Sequence, residues 1–463
     1  MIEQEKIERV WFIGIGGIGM SAIARYFHMK GILVAGYDRT PSVVTEALEQ
    51  EGVSVVFNDA CELIDEVFRD ASTTLVVYTP AVEHSQKQLV WFRENGFSVL
   101  KRAEVLGLIT RESKAICIAG THGKTTISTI TTHLFRQSRQ GCTAFLGGIS
   151  KNYATNFLWD GNSPFTVLEA DEFDRSFLRL NPASALVSAV DPDHLDIYGD
   201  RESFRQAFID FGRKICKNGC LVVNAALTVD WQLAEGVKVY TYSAAQKADF
   251  YATDIRMEDG YYVFTLVTPE DKIENLKMGV PGLLNVENAV GAAALALING
   301  VLPDEIQEAL PLFSGIARRF ETHINTGDLI YIDDYAHHPE EIRATVNSVR
   351  AMYPNHRITG IFQPHLYSRT KDFAKEFAVA LELLDELFLL DIYPARELPV
   401  AGVDSALIGS DVRRIPVHLC SKELLPEMLS LQLPQVFLSM GAGDIDREVA
   451  AIKKRLMSLI NKM

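Results

Sequence analysis

The sequence predicts an α/β protein made of three parallel-sheet domains in series. A chain of 463 residues, at ~150 residues per domain, holds about three cores. Three short apolar runs, 10–13, 115–119 and 329–332, each lead into a turn rich in glycine or in histidine and proline, and a helical stretch follows each. Strand, tight turn and helix in alternation give a parallel sheet, with ligands at the C-terminal ends of the strands. Boundaries are expected near residues 113 and 315, which divides the chain into 1–112, 113–315 and 316–463.

Composition narrows the function. Hydrophobic residues are 48% and charged residues 23%, which excludes a disordered chain. Lys and Arg total 45 against 60 Asp and Glu, a net charge of -15, so a general nucleic-acid or anionic-lipid surface is not expected. Six scattered cysteines make neither a disulfide scaffold nor a zinc site, and a reduced, cytoplasmic protein fits them. Residues 1–10 lack the apolar core of a signal peptide. The longest apolar stretch, 289–302, is interrupted by Asn299 and too short for a bilayer, so it is expected to be a buried helix.

The first turn carries Gly14, Gly16 and Gly19 in the pattern G-x-G-x-x-G, with Gly17 inside it. Such glycines allow a tight turn and close backbone approach to a pyrophosphate at a helix N-terminus. A second strand, 32–37, ends at Asp38, where a ribose-binding acid would stand. The pattern suits NAD, or another pyrophosphate nucleotide such as a UDP-sugar, or a ligand-free strand–helix turn.

The second turn reads Gly120-Thr121-His122-Gly123-Lys124-Thr125-Thr126, a shortened P-loop. Its backbone N–H groups can cradle phosphates, Lys124 can neutralise β/γ charge, and Thr125 can hold magnesium. Magnesium needs further oxygen ligands. A strand at 165–168 runs into Glu169, Asp171, Glu172 and Asp174, which form either a cation site or a solvated acidic turn. A strand at 185–190 runs into Asp191, Asp193, His194 and Asp196, where His194 is a metal ligand or a helix-start histidine. The third turn, Asp333-Asp334-Tyr335-Ala336-His337-His338-Pro339, reads as an Asx turn before a helix over 340–349.

Taken in order, these motifs resemble the Mur ligases, the ATP-dependent amide-forming enzymes of peptidoglycan precursor synthesis. The resemblance covers nearly the whole chain. Besides the shortened P-loop it rests on 14–20, Arg102-Ala103-Glu104, 169–174, Asp193-His194-Leu195-Asp196 and Asn285-Val286-Glu287-Asn288-Ala289. It continues through Arg318-Arg319-Phe320, 333–340, Phe362-Gln363-Pro364-His365, Asp391-Ile392-Tyr393 and Gly441-Ala442-Gly443. The chain departs from the family pattern at Leu284 (usually His), Phe173 (commonly Ser), Leu366 (often Arg, with Arg369 three residues on) and Arg396 (commonly Gly). It has no match to the carbamylated-lysine element of several sister ligases, nor to the Asp-Asn-Pro-Arg motif of the diaminopimelate-adding one.

The resemblance implies a Rossmann-like first domain that holds a UDP-sugar, with Gly14, Gly16, Gly17, Gly19, Asp38 and Arg102 in that site. It implies a central ATP domain with residues 120–126 at the phosphates and Asn285 and Asn288 at adenine, helix capping being the other use of those amides. A Rossmann-like third domain closes over both, bringing Arg319 and Asp334 to the nucleotide and His337, His338, His365 and Arg369 to the substrate. Magnesium falls to Thr125, Glu169 and His194, and catalysis to Lys124, Glu169, His194 and Arg319. The implied reaction phosphorylates the lactyl carboxylate of UDP-N-acetylmuramate and then couples L-alanine to it. A sister reaction that adds a whole tripeptide to the same sugar is the alternative, and the first loop alone allows an NAD-dependent oxidoreductase. A monomer or weak homodimer is expected.

Overall fold

The apolar run RVWFI near the start of the chain is buried on both faces, as a central parallel strand must be. The computed structural model describes residues 6–193, 195–258, 260–395 and 397–461. The first sheet contains β1 (Arg9–Ile13), β2 (Leu33–Tyr37), β3 (Ser54–Val56), β4 (Thr74–Tyr78) and β5 (Ser98–Lys101). All pairs are parallel, in the order β3-β2-β1-β4-β5. The chain order reverses about β1, so the glycine loop after it lies at the switch point where such sheets bind ligands.

The second sheet has ten strands: β6 (Lys114–Ala119), β7 (Thr143–Ser150), β8 (Thr155–Leu158), β9 (Phe165–Glu169), β10 (Ser184–Val187), β11 (Cys220–Asn224), β12 (Lys238–Ser243), β13 (Phe250–Glu258), β14 (Tyr261–Val267) and β15 (Lys272–Lys277). Their order is β15-β14-β13-β12-β11-β10-β6-β9-β7-β8. The register sets Ile118 beside Glu169 and Ala119 beside Val187, so the turns after β6, β9 and β10 meet at one end. The strand expected over 185–190 stops at Val187. Beyond it the backbone serves the P-loop: Ser188 N–H donates to Ala119 O, and Thr121 N–H donates to Ala189 O, both at 3.1 Å. The apolar stretch 289–302 contributes to the helix Leu283–Ile298 and is closed by Gly300 at φ +91°.

The third sheet contains β16 (Glu321–Asn325), β17 (Leu329–Asp334), β18 (Arg357–Phe362), β19 (Glu386–Leu390), β20 (Val417–Cys420) and β21 (Gln435–Met440). Its order is β16-β17-β21-β18-β19-β20, with β16 antiparallel and the other pairs parallel. Among the described residues no helix is long and apolar enough to cross a membrane. All six cysteines are free thiols.

The chain forms two compact units: 1–255 with 263–279 and 287–314, and 315–463 with 256–262 and 280–286. Within the first unit, two sheets share one core. Tyr26, on the helix Ile18–Met29 that follows the glycine loop, meets Phe145, Phe157 and Trp159 at 5.6, 6.4 and 5.6 Å between ring centroids. Beside them, Asn156 accepts from Arg25 Nη1 (2.5 Å) and donates to Ile18 O (2.5 Å) and Ser21 Oγ (3.0 Å). Arg25 also clasps Glu51 from Nε and Nη2.

Asn156→Ala strips partners from a buried guanidinium, a carbonyl and a hydroxyl at once. It should destabilise the first unit by about 2–3 kcal/mol, read as a lower denaturant midpoint, and leave the second unit's transition in place.

Candidate active site

The first loop is closed by its own residues. Gly14 sits at φ +85°, and a Cβ there would stand 2.7 Å from Thr79 Cγ2, so only glycine fits both the turn and the space. Gly16 N–H donates to Asp38 Oδ2 at 2.7 Å, so Asp38 clasps the loop itself. A Cβ on Gly17 would meet nothing nearer than 3.6 Å, which leaves that side of the loop open. Arg102 covers Gly19 so tightly that a Cβ there would lie 2.2 Å from Nη1. The same guanidinium donates from Nη2 to Asp171 Oδ2 at 2.9 Å. One side chain thus ties the glycine loop to the acidic turn after β9.

In the second loop, Gly120 and Gly123 take φ +130° and +81°, and the helix Lys124–Gln137 begins directly after. Lys124 Nζ donates to Gly120 O and to Glu172 Oε1, each at 2.7 Å. Glu172 is 2% exposed, and its Oε2 has no hydrogen-bond partner among the described residues. Burial pushes the Glu172 carboxyl up to about 7 against the pull of Lys124. Burial opposes the charge on Lys124, but Glu172 and Asp171 outweigh it, so its pKa is raised and it stays an ammonium. His122 Nε2 lies 3.4 Å from Asp191 Oδ2, and Thr121 Oγ1 accepts from Asp191 N–H at 3.1 Å. Thr125 is buried and Thr126 half-buried in the first helical turn. The buried Asn288 presses on the loop, its Oδ1 2.8 Å from where a Gly123 Cβ would be.

Glu169, at the end of β9, accepts from Gly147 N–H at 3.0 Å and from Ser128 Oγ at 3.4 Å. Ser128 lies three residues beyond Thr125 on the P-loop helix. A hydroxyl and a carboxylate are hard oxygen donors suited to magnesium, which takes few protein ligands and completes its shell with water and phosphate. Among the described residues no group of three or more His, Cys, Asp or Glu side chains could hold a metal ion. His194 lies outside the described residues.

The second unit holds the other candidates. Arg318 is spent on internal bonds: its Nε lies 3.3 Å from Asp333 Oδ2, and it donates from Nη2 to Gly441 O (2.7 Å) and from Nη1 to Gly443 O (3.3 Å). Both Arg318 and Arg319 also lie over the Tyr335 ring, at 5.2 and 4.8 Å. Asp334 accepts from Phe320 N–H at 2.7 Å and Ala336 N–H at 2.8 Å, the second being the expected Asx turn. Burial raises Asp334 to about 6, although Arg319 pulls it down. His337 Nδ1 is 2.9 Å from Tyr335 O, and its ring meets His365 edge-on at 6.1 Å. His365 stacks on Tyr393 at 5.8 Å and lies 3.5 Å from Arg369 Nη1. His338 is buried and packs against Phe373 at 5.1 Å. Asn285 donates its side-chain amide back to Pro281 O at 2.5 Å and groups with the second unit, whereas Asn288 groups with the first.

Three family models match the chain in series: the Mur ligase family catalytic domain over 9–114, the Mur ligase middle domain over 118–296, and the Mur ligase glutamate ligase domain over 318–443. The UDP-N-acetylmuramate–L-alanine ligase of Parabacteroides distasonis is 50% identical over 457 residues, covering 99% of each chain. The chain belongs to the Mur ligase family. The ligase of the same name from Phocaeicola vulgatus is 49% identical, over 98% of this chain and 99% of that protein. Among solved structures, the UDP-N-acetylmuramate–alanine ligase of Thermotoga maritima superposes with a TM-score of 0.81 at 27% identity, covering 97% of this chain and 99% of that one. A murein peptide ligase from Psychrobacter arcticus shares the fold, with a TM-score of 0.68 at 20% identity over 97% and 98% of the two chains.

For a Mur ligase the oxidoreductase alternative lapses. Of this Mur ligase's departures from the family pattern, Leu366 is buried at φ +72°, a left-handed backbone held by its N–H bond to Tyr393 O at 3.0 Å. Phe173 donates its backbone N–H to Asp171 Oδ1 at 3.1 Å, and Leu284 is 46% exposed. Arg396 lies outside the described residues. Two contacts had no sequence signal of their own: the Glu172 partner of Lys124, hidden in an acidic run, and Gly147 against Glu169.

His337 gives a pH test. Burial holds its pKa near 4, below the ordinary 6.5, against the pull of Glu341. The unfolded chain binds a proton here between those values and the folded chain does not, so this group lowers stability as pH falls through that window. Its imidazole signals in NMR should stay those of a neutral ring from pH 8 down to about pH 5.

Proposed function

We propose that the protein is an ATP-dependent ligase that joins L-alanine to UDP-N-acetylmuramate in peptidoglycan precursor synthesis, in the cytoplasm, as a monomer or weak homodimer. The observation that carries the reading is Arg102, which holds the glycine loop and the acidic turn of the P-loop domain together within one unit of a chain 50% identical to a ligase of that name. The domain division 1–112, 113–315 and 316–463 is proposed with it, for sugar nucleotide, ATP and amino acid in turn.

A carboxylate is a poor electrophile, and phosphorylation makes it reactive at neutral pH. One lactyl carboxylate oxygen attacks the γ-phosphorus of ATP, ADP leaves, and an acyl phosphate forms. The amine of L-alanine attacks the acyl carbon, loses a proton, and phosphate departs from the tetrahedral intermediate. The protein positions and neutralises more than it reacts. The backbone of 120–123 receives the phosphates, and Lys124 exchanges Glu172 for phosphate oxygens. Thr125 and Glu169, with His194, would hold magnesium, which neutralises charge on the transferring phosphoryl group. Asn288, which presses on the loop, and Asn285 are assigned to adenine. Arg319 and Asp334 are assigned to the nucleotide. His337, His365 and Arg369 form one polar group suited to an amino-acid carboxylate, and His338 supports it from the core. Gly14, Gly16, Gly17, Gly19 and Asp38 form the sugar-nucleotide loop.

The deciding assay is ADP release with UDP-N-acetylmuramate and L-alanine, glycine, L-serine or the tripeptide offered singly. L-Alanine should support the fastest turnover, and release with the tripeptide alone would move the reading to the sister reaction.

Lys124→Ala should slow phosphoryl transfer ~10²- to 10³-fold or more while UDP-sugar affinity by calorimetry stays near wild type. Gly16→Val should do the reverse. A Cβ there would stand 2.9 Å from Asp38 Oδ2 and 2.7 Å from Thr45 Cγ2, so the clasp on the loop opens and sugar-nucleotide binding is lost. ATP affinity should change less than about twofold, a change of under half a kcal/mol.

A further inference from the structure

β7 runs parallel to β9 in the register Thr143 to Thr166, Ala144 to Val167 and Phe145 to Leu168. The ladder ends there, so Gly147 N–H is not spent on a strand partner and turns to the Glu169 side chain, 3.0 Å from Oε1. A Cβ built on Gly147 would lie 2.3 Å from Oε1, 2.4 Å from Oε2 and 2.5 Å from Cδ of Glu169. The whole carboxylate therefore lies flat on the bare Cα. Gly147 is not among the glycines with positive φ, so its backbone would suit an ordinary residue. Glycine inside a strand weakens it through lost packing and extra chain entropy. The conformation gives no reason for glycine here, and the space taken by Glu169 does. Ser128 Oγ approaches the same Oε1 at 3.4 Å. The Ser128 hydroxyl is nearer Thr125 O, at 3.1 Å, so Gly147 N–H is the close donor that holds Oε1, while Oε2 takes no hydrogen bond among the described residues.

We propose that Gly147 is a positioning residue for Glu169: its N–H fixes Oε1, and its missing side chain lets the carboxylate lie flat, so that Oε2 is presented as a single magnesium ligand. The proposal rests on the reading of Glu169 as a metal ligand. Magnesium tolerates little departure from octahedral geometry and takes one or two carboxylate oxygens beside phosphate and water. Outer groups that orient such a ligand change metal affinity by about 10- to 100-fold when removed.

The test titrates Mn²⁺ by electron paramagnetic resonance into the full-length protein saturated with a non-hydrolysable ATP analogue. Affinity for the metal-free analogue is measured separately by calorimetry in EDTA. Glu169→Gln should weaken Mn²⁺ binding at least about tenfold. Gly147→Ala should weaken it about 10- to 100-fold, with metal-free nucleotide affinity unchanged within about twofold. Gly147→Ala/Glu169→Asp, with its shorter carboxylate, should bind Mn²⁺ more tightly than Gly147→Ala alone. Wild-type Mn²⁺ affinity in Gly147→Ala, with Glu169→Gln impaired, overturns the proposal and spares the ligand reading. Wild-type affinity in Glu169→Gln overturns the ligand reading itself. If Gly147→Ala fails to fold, recovery of folding in the double variant supports the collision with Glu169, and continued failure overturns it.

Discussion

The P-loop is organised around one buried ion pair. Lys124 begins its helix at the end of the P-loop, and its largely buried ammonium needs a counter-charge. Glu172 supplies it from the turn after β9, with Gly120 O as second acceptor. A carboxylate as buried as Glu172 is stable only beside such a cation. Each charge therefore fixes the other, and with them the turns that follow the paired strands β6 and β9. Asp171 in that same turn holds Arg102, and Arg102 covers Gly19, so the acidic turn is joined to the first glycine loop through one further contact.

The second unit repeats the logic with different chemistry. Asp333 and Asp334 end β17 side by side, and each has its own solution. Asp333 is held by Arg318 and by Ser439 Oγ at 2.6 Å, while Asp334 takes backbone N–H groups from Phe320 and Ala336. Arg318 and Phe320 both adopt left-handed φ, +61° and +49°, so Arg319 stands between two strained residues and is carried onto Tyr335.

The strand–turn–helix starts at 10, 115 and 329 were legible because apolar runs ending in Gly or in Asp-Asp-Tyr need no partner to be recognised. Motif order carried the family. Pairings were not legible. Nothing in the sequence says that Glu172 rather than Asp171 takes Lys124, since four carboxylates stand within six residues and only the path of the turn separates them. The bond from Gly16 N–H to Asp38 was not legible either, because only the fold sets a strand end beside the glycine loop and gives its acid that donor. Two adjacent histidines, His337 and His338, read alike in sequence. The first turn of the helix Pro339–Met352 sends one toward His365 and the other toward Phe373. The strand expected to reach 190 was cut short by hydrogen bonds to a loop that local patterning does not contain.

The core shared by the first two sheets bears on modularity. Tyr26, Phe145, Phe157 and Trp159 form one aromatic seam, flanked by the Arg25–Asn156–Ser21 network. A gene fragment ending near residue 112 would leave Tyr26 and Arg25 facing water without the β7–β8 hairpin that covers them. The unit of inheritance in recombination, or of exchange in a chimaeric ligase, is therefore not the N-terminal sheet by itself. It is that sheet together with the hairpin, so a graft of the N-terminal sheet must carry both sides of the seam.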